Sequence, residues 1–272
     1  MVTNIVRNKM FLILAVLTLA AQAFGQNWQQ RSNSTSLSAV PACQSTYTSG
    51  SGLTLFEFCV TANGNIAELQ SPAGGEHIRV SGSGEGYGVC DSGTKVRYYD
   101  YDGGDSGNWK DALITQPGGP NTFPLKVVRT SSDGLFTLTQ TFSRSTGERI
   151  VKIAMTLKNN GATSKTFILL RFANVNANNG DGGDLNNEFD SGIDAAWAYN
   201  NQAYGVRLST ATPSLEHAGF VDATNDGPDP CNPGASSPAG QPFFGDGSVV
   251  VAYVIALPAG KSTTSAVEYK RF

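Results

Sequence analysis

The chain has 272 residues, with 19 Lys+Arg against 22 Asp+Glu, 40% hydrophobic residues, 31 Gly and four Cys. That hydrophobic share supplies a packed core and excludes wholesale disorder. The near-neutral charge, without Lys/Arg clusters, excludes nucleic acid as a partner.

Residues 1–26 read as a secretory signal peptide. Arg7 and Lys9 precede the apolar run Met10–Ala21, which is too short to span a bilayer. Ala21, Ala23 and Gly25 then offer small residues for cleavage after Ala23 or Gly25. Without this segment 246 residues remain, and 17 basic residues face 22 acidic ones for a net charge of −5. No later stretch is long and apolar enough to form a transmembrane segment in the mature chain. The expected location is outside the cell or on its surface.

Export gives the cysteines their meaning. Cys43, Cys59, Cys90 and Cys231 are an even set without CxxC spacing, and in an oxidising compartment they read as two disulfides. Sequence does not choose among the three connectivities; Cys59–Cys90 with Cys43–Cys231 is the working expectation.

Residues 27–50 are rich in Ser, Gln and Thr and read as a polar lead-in, with a single β-sandwich domain over 51–272. Val151, Ile153, Met155 and Leu157 alternate with Lys152, Thr156 and Lys158, the period of a strand with one wet face. Phe167–Phe172 and Val249–Leu257 are apolar at both parities, as in strands covered on both sides. Asn63-Gly64, Asp133-Gly134 and Asn160-Gly161 each stand between such runs and predict hairpins. Roughly a dozen to sixteen strands result, with no long helical periodicity. Residues 226–242 read as a long loop stapled by Cys231. A membrane barrel closing on Phe272 would put Lys270 and Glu268 on its lipid face, which argues against it.

Three clusters are candidate sites. Between Arg171 and Arg207 there is no Lys or Arg, yet Asp181, Asp184, Glu188, Asp190 and Asp194 fall there, after Asn174, Asn176 and Asn178. Uncompensated carboxylates on Gly-rich loops suit Ca²⁺, which takes oxygen ligands in irregular geometry; a solvated acidic loop is the alternative. The second cluster runs Tyr98-Tyr99-Asp100-Tyr101-Asp102, then Asp105 and Trp109. Asp100, Asp102 and Asp105 are further candidate Ca²⁺ ligands. Tyr99, Tyr101 and Trp109 are candidate sugar platforms, a ring covering the apolar face of a pyranose while a carboxylate accepts from its hydroxyls. Trp197 and Tyr199, with Tyr204 near them, form the third cluster and offer the same chemistry; packing into the core is the alternative for each. Gly104-Asp105-Ser106-Gly107 matches the tetrapeptide around a trypsin-like nucleophile, but Asp-Ser-Gly recurs at 91–93 and 190–192 and reads as turn chemistry. His77 and His217 each follow a Glu and read as ordinary histidines rather than acid/base catalysts.

Longer stretches carry a resemblance. FEFCVTANGNIAELQSPAGGEHIR at Phe56–Arg79, EGYGVC at Glu85–Cys90, TLKNNGATSKTFILLRFANVNAN from Thr156 and AWAYN at Ala196–Asn200 together resemble secreted bacterial β-sandwich proteins without an assigned activity. The opening strand, Asn-Gly-Asn-Ile and Ser-Pro turn resemble the start of galactose-mutarotase-like supersandwich domains. That resemblance implies a large antiparallel all-β sandwich. Mutarotases work with two His and a Glu; His77 and His217 do not stand in that family's sequence context, so no catalytic residue carries over. The sequence thus reads as a secreted non-catalytic β-sandwich that binds extracellular polysaccharide or a surface component, with Ca²⁺ ordering its loops. A carbohydrate-active enzyme (epimerase, lyase or hydrolase) and a surface-assembly protein are the alternatives.

Overall fold

Alternation sets the strands and their pairing sets the layers. The structure, a computed structural model, describes residues 43–78, 84–101, 104–144, 149–179, 185–190, 192–211, 227–235 and 241–272, and for 218–224 the backbone course. The signal segment, Asp102, Asp181, Asp184 and His217 lie outside the described residues.

In chain order the strands are β1 (Cys43–Ser49), β2 (Phe56–Thr61), β3 (Ile66–Gln70), β4 (Glu85–Asp91), β5 (Val96–Tyr101), β6 (Gly104–Asp105), β7 (Leu113–Thr115), β8 (Leu125–Thr130) and β9 (Phe136–Arg144). They continue with β10 (Ile150–Asn159), β11 (Lys165–Val175), β12 (Asn186–Asp190), β13 (Ala195–Tyr199), β14 (Gly205–Thr210), β15 (Ala218–Thr224), β16 (Phe243–Phe244), β17 (Gly247–Leu257) and β18 (Ser262–Arg271). Among the described residues the eighteen strands exceed the sequence expectation, because two-residue strands such as β6 and β16 leave no periodic signal. Strand β1 also falls inside the expected lead-in: its Ser/Thr-rich run pairs with β2 from Ser45 to Ser49.

Among the described residues all strand pairings are antiparallel and form three sheets. One runs β1-β2-β3, a second β16-β12-β13-β14-β18-β10-β9-β8-β7, and a third β15-β17-β11-β4-β5-β6. The large sheets share one core. Leu138, Phe142, Val151, Ile153, Met155, Leu157 and Val267 of the nine-stranded sheet belong to the same buried cluster as Val89, Phe167, Leu169, Val249 and Val251 of the six-stranded sheet. Each such side chain stabilises the fold by about 2 kcal/mol relative to exposure. Strands β11 and β17 pair along their whole length, and the other face of this pair holds a second buried cluster of Leu170, Phe172, Val250 and Ala252. That explains their apolar residues at both parities.

Two of the three predicted hairpins form. Asn63-Gly64 joins β2 to β3 and Asp133-Gly134 joins β8 to β9. Asn160-Gly161 does not: β10 pairs with β9 and β18, whereas β11 pairs with β17 and β4 in the other sheet. The chain changes layers there. Asn159 fixes the corner by donating from Nδ2 to the carbonyls of Thr163 (2.8 Å) and Leu257 (3.0 Å), while its Oδ1 accepts from Gly161 N (2.9 Å).

The disulfides are Cys43–Cys59 and Cys90–Cys231, which corrects the expected Cys59–Cys90 and Cys43–Cys231. The β1–β2 pairing brings Cys43 and Cys59 to 5.5 Å between Cα atoms, within bridging reach. Cys90 shares a face of β4 with Gly88, and Pro230 packs so closely on Gly88 that a Cβ there would meet it at 2.7 Å. The 227–235 segment is thus clamped to this face, aided by Arg97 donating to both Asp229 carboxylate oxygens (2.6 and 2.8 Å).

Candidate functional site

Strand β13 reads AAWAY. Ala196 and Ala198 are wholly buried in the core, so period two turns Trp197 and Tyr199 to the outer face of the nine-stranded sheet, where both are half-buried. Register supplies their neighbours. Trp197 stands opposite Glu188 of β12 on one side and Arg207 of β14 on the other; Arg207 in turn stands opposite Lys270 of β18. Val206, Leu208 and Tyr269 point into the core, which confirms the outward parity of Arg207 and Lys270. The Tyr199 hydroxyl donates to Glu188 Oε1 (2.7 Å), and this bond raises the phenol's pKa. The outcome is an aromatic pair with a hydrogen-bond-accepting carboxylate on one flank and two cations on the other.

Where β13 ends, the chain meets the first candidate cluster. Asn200 Nδ2 donates to the Ala177 carbonyl (3.1 Å), and the Tyr204 ring lies 4.7 Å from the Arg271 guanidinium and 6.4 Å from the His77 ring. His77 is completely buried. Its Nε2 lies 2.6 Å from the Ser71 carbonyl and its Nδ1 accepts from Asn178 N (3.3 Å), so hydrogen bonding assigns the neutral ring with the proton on Nε2. Burial lowers its pKa to about 4. Glu76 Oε1 accepts from the backbone N–H groups of Leu69 (2.8 Å), His77 (3.0 Å) and Ile78 (2.9 Å). Burial nevertheless pushes the carboxyl up to about 7. The His77 ring ties the 71–78 loop to the left-handed turn at Ala177, Asn178 and Asn179, while the Glu76 carboxylate ties the loop to β3 through Leu69 N. Together they form a clasp.

The second cluster divides. Arg129 Nη1 donates to Asp100 (2.7 Å) and Nη2 to Asp105 (2.8 Å), so these two carboxylates already share a cation. Burial still raises Asp100 to about 6. Trp109 closes the core edge rather than presenting a platform: its ring meets Tyr87, Tyr98 and Phe136 edge-to-face, Arg129 lies 5.3 Å from its centroid, and Nε1 donates to the Tyr99 carbonyl (3.1 Å). Tyr99 and Tyr101 stack at 4.9 Å, but on the six-stranded sheet, and Tyr101 packs on Phe172 and donates to the Pro228 carbonyl (2.7 Å). Ser106 Oγ accepts from Tyr99 N (3.1 Å), a turn contact. The five predicted aromatics therefore do not form one row; Trp197 stands between Glu188 and Arg207, with Tyr199 on the same face.

Of the predicted metal ligands, Glu188 serves Tyr199, and Asp190 Oδ1 accepts from Gly192 N (2.7 Å). Among the described residues no three His, Cys, Asp or Glu side chains gather as a metal site. Arg207 and Lys270 escaped the sequence reading. Alternation in Val206-Arg207-Leu208 marks Arg207 as outward, but only the β13–β14–β18 register puts it beside Trp197.

The fold has known counterparts. A bacterial glucoamylase solved with acarbose superposes with a TM-score of 0.59 at 12% identity, over 87% of this chain and 33% of that one. A polysaccharide lyase gives 0.50 at 12% identity, over 82% of this chain and 33% of that one. A galactose mutarotase-related enzyme from Lactobacillus acidophilus gives 0.51 at 8% identity, over 84% and 97%. The chain thus spans about a third of the glucoamylase and of the lyase. No family model matches the sequence, and no curated protein matches it. The fold is thus an antiparallel β-sandwich similar to that of the mutarotase-related enzyme, a likeness that does not by itself transfer activity.

Proposed function

We propose that this is a secreted, non-catalytic carbohydrate-binding protein, with its sugar site on the outer face of β12, β13, β14 and β18. The observation that carries the reading is Trp197 and Tyr199, half-buried side by side and flanked by Glu188. A half-exposed indole covers the apolar face of a pyranose, and the carboxylate accepts from ring hydroxyls. Two disulfides fit an oxidising compartment, and no helix among the described residues is long and apolar enough to cross a membrane. Similar folds occur in a glucoamylase, a polysaccharide lyase and a mutarotase-related enzyme, which favours a carbohydrate ligand. Against catalysis by the pairs closest to a mutarotase's equipment, His77 and Glu76 are consumed by backbone hydrogen bonds.

The test is a glycan array followed by titration of the best hit. Saturable binding that drops at least tenfold in Trp197→Ala, about 1.4 kcal/mol, and survives in Trp109→Ala supports the site. Binding indifferent to Trp197→Ala, or a blank array, removes it.

A further inference from the structure

Resting on the carbohydrate reading above, we infer that the sugar held at Trp197 is anionic, its carboxylate or sulfate lying over Arg207 and Lys270. The row Glu188–Trp197–Arg207–Lys270 crosses four neighbouring strands at directly paired positions. Neighbouring strands are about 4.8 Å apart, so the row extends about 14 Å and is longer than a single pyranose, which leaves room on either side of a ring held at Trp197.

Arg207 and Lys270 are like charges standing directly opposite one another, an arrangement that destabilises a sheet unless an anion lies between them. Among the described residues none does. Arg207 Nε is buried without a hydrogen-bond partner, and among the described residues no carboxylate pairs with either side chain. The other nearby acids are engaged elsewhere: Glu268 faces Lys152 (3.8 Å) and Glu188 accepts from Tyr199 on the far side of the indole. This is unusual in a chain where acids outnumber bases by 22 to 19. A planar guanidinium suits a carboxylate or sulfate, and the adjacent ammonium adds a point charge. The two flanks also give the site a direction: a hydroxylated edge toward Glu188 and an anionic edge toward Arg207 and Lys270.

The experiment titrates the purified protein with three polymers: polygalacturonate, dextran sulfate and neutral dextran. It compares the native chain with R207Q/K270Q and with W197A. The expected result is binding to at least one anionic polymer and at least tenfold weaker binding to dextran. Affinity should fall as NaCl is raised, because exposed charges are screened. R207Q/K270Q should lose at least tenfold and become insensitive to salt, with a melting temperature no lower than native. The stronger of the two anionic polymers tells carboxylate from sulfate recognition. Equal binding of dextran and the anionic polymers, lost in W197A and unchanged in R207Q/K270Q, overturns the anionic assignment and leaves the carbohydrate site standing. Binding of no polymer by the native chain, together with a blank glycan array, overturns both.

Discussion

Two arginines bound the long interval of sequence that holds no other Lys or Arg, and they are used in opposite ways. Arg171 is wholly buried between the large sheets. It is held by Glu85 and Gln140, donates from Nη2 to the Gly64 carbonyl (2.9 Å), and lies 5.6 Å from the Tyr87 ring. Glu85 is satisfied in turn by the Tyr269 hydroxyl (2.7 Å) and Ile66 N (2.6 Å). Through this network the β2–β3 turn is inserted into the sandwich, and its Asn63 carbonyl accepts from the Tyr87 hydroxyl (2.8 Å). Gly64 at φ +89° makes that approach possible, since a Cβ would meet Gln140 Nε2 at 2.6 Å. Arg207 lies on the outer face with no such network. A charge the fold consumes is matched on every side; a charge left unmatched at the surface is available to a ligand.

The largest test of this contrast is Arg171→Met. Removing one member of a buried ion pair strands the other, so the loss of unfolding free energy should be about 3–5 kcal/mol. Urea denaturation measures it. A loss below about 1 kcal/mol, the range of exposed pairs, erases the distinction between the two arginines.

The clasp at His77 lies between these extremes and has a pH signature. The folded pKa of His77, about 4, is below the ordinary 6.5. The unfolded chain therefore takes the extra proton between these values, and the stability due to neutral His77 is whole above pH 6.5 and lost as pH falls toward 4. Glu76, pushed up to about 7 from 4.5, works in reverse: its contribution is whole below pH 4.5 and lost as pH rises through 7. Between pH 4.5 and 6.5 the two slopes oppose each other. Glu76→Gln should make stability climb with pH across that window relative to native, and His77→Gln should make it fall, each by on the order of 2 kcal/mol. Denaturation at three pH values reads both; parallel profiles for all three proteins would mean that the clasp does not titrate this way.

The contrast also marks what the sequence could tell. Fold class was legible because Val151 to Lys158 alternates cleanly and Phe167–Phe172 does not, and both patterns are direct records of which faces are covered. Layer assignment was not. Asn160-Gly161 has hairpin chemistry, yet the partners of β10 and β11 come from the far end of the chain, β18 and β17. The disulfides failed for the same reason, since Cys90 meets a residue 141 positions away. At the candidate site, Trp197 and Tyr199 stood out by residue type, and Glu188 only as a candidate Ca²⁺ ligand. Their cations did not, because Arg207 and Lys270 become neighbours only through register, just as Arg129 becomes the partner of Asp100 and Asp105 only through the fold.

At the outer face the aromatic and the cation can be separated. Trp197→Ala should cut sugar affinity at least tenfold while moving stability by less than about 1 kcal/mol, since the ring is half-buried and lies outside the shared core. Trp109→Ala should do the reverse, because its ring seals Tyr87, Tyr98 and Phe136 at the core edge. Titration and melting on the same two samples decide it. If both substitutions destabilise equally and neither changes binding, β13 carries no platform.

The smallest effect bears most directly on the two arginines. Arg207→Gln removes one of two like charges facing each other across β14 and β18, and such a pair costs a few tenths of a kcal/mol or more. The variant should be more stable than native, by about 0.5 kcal/mol, at low ionic strength. The gain should shrink as salt is added, because the repulsion it relieves is screened over about 10 Å at 0.1 M. The sign carries the weight here. A surface arginine packed for structural reasons would lose stability on truncation to Gln, and the loss would be insensitive to salt. A stabilised variant with a salt-dependent gain identifies Arg207 as a residue the fold keeps at a cost, which is what the unmatched pair beside Trp197 implies.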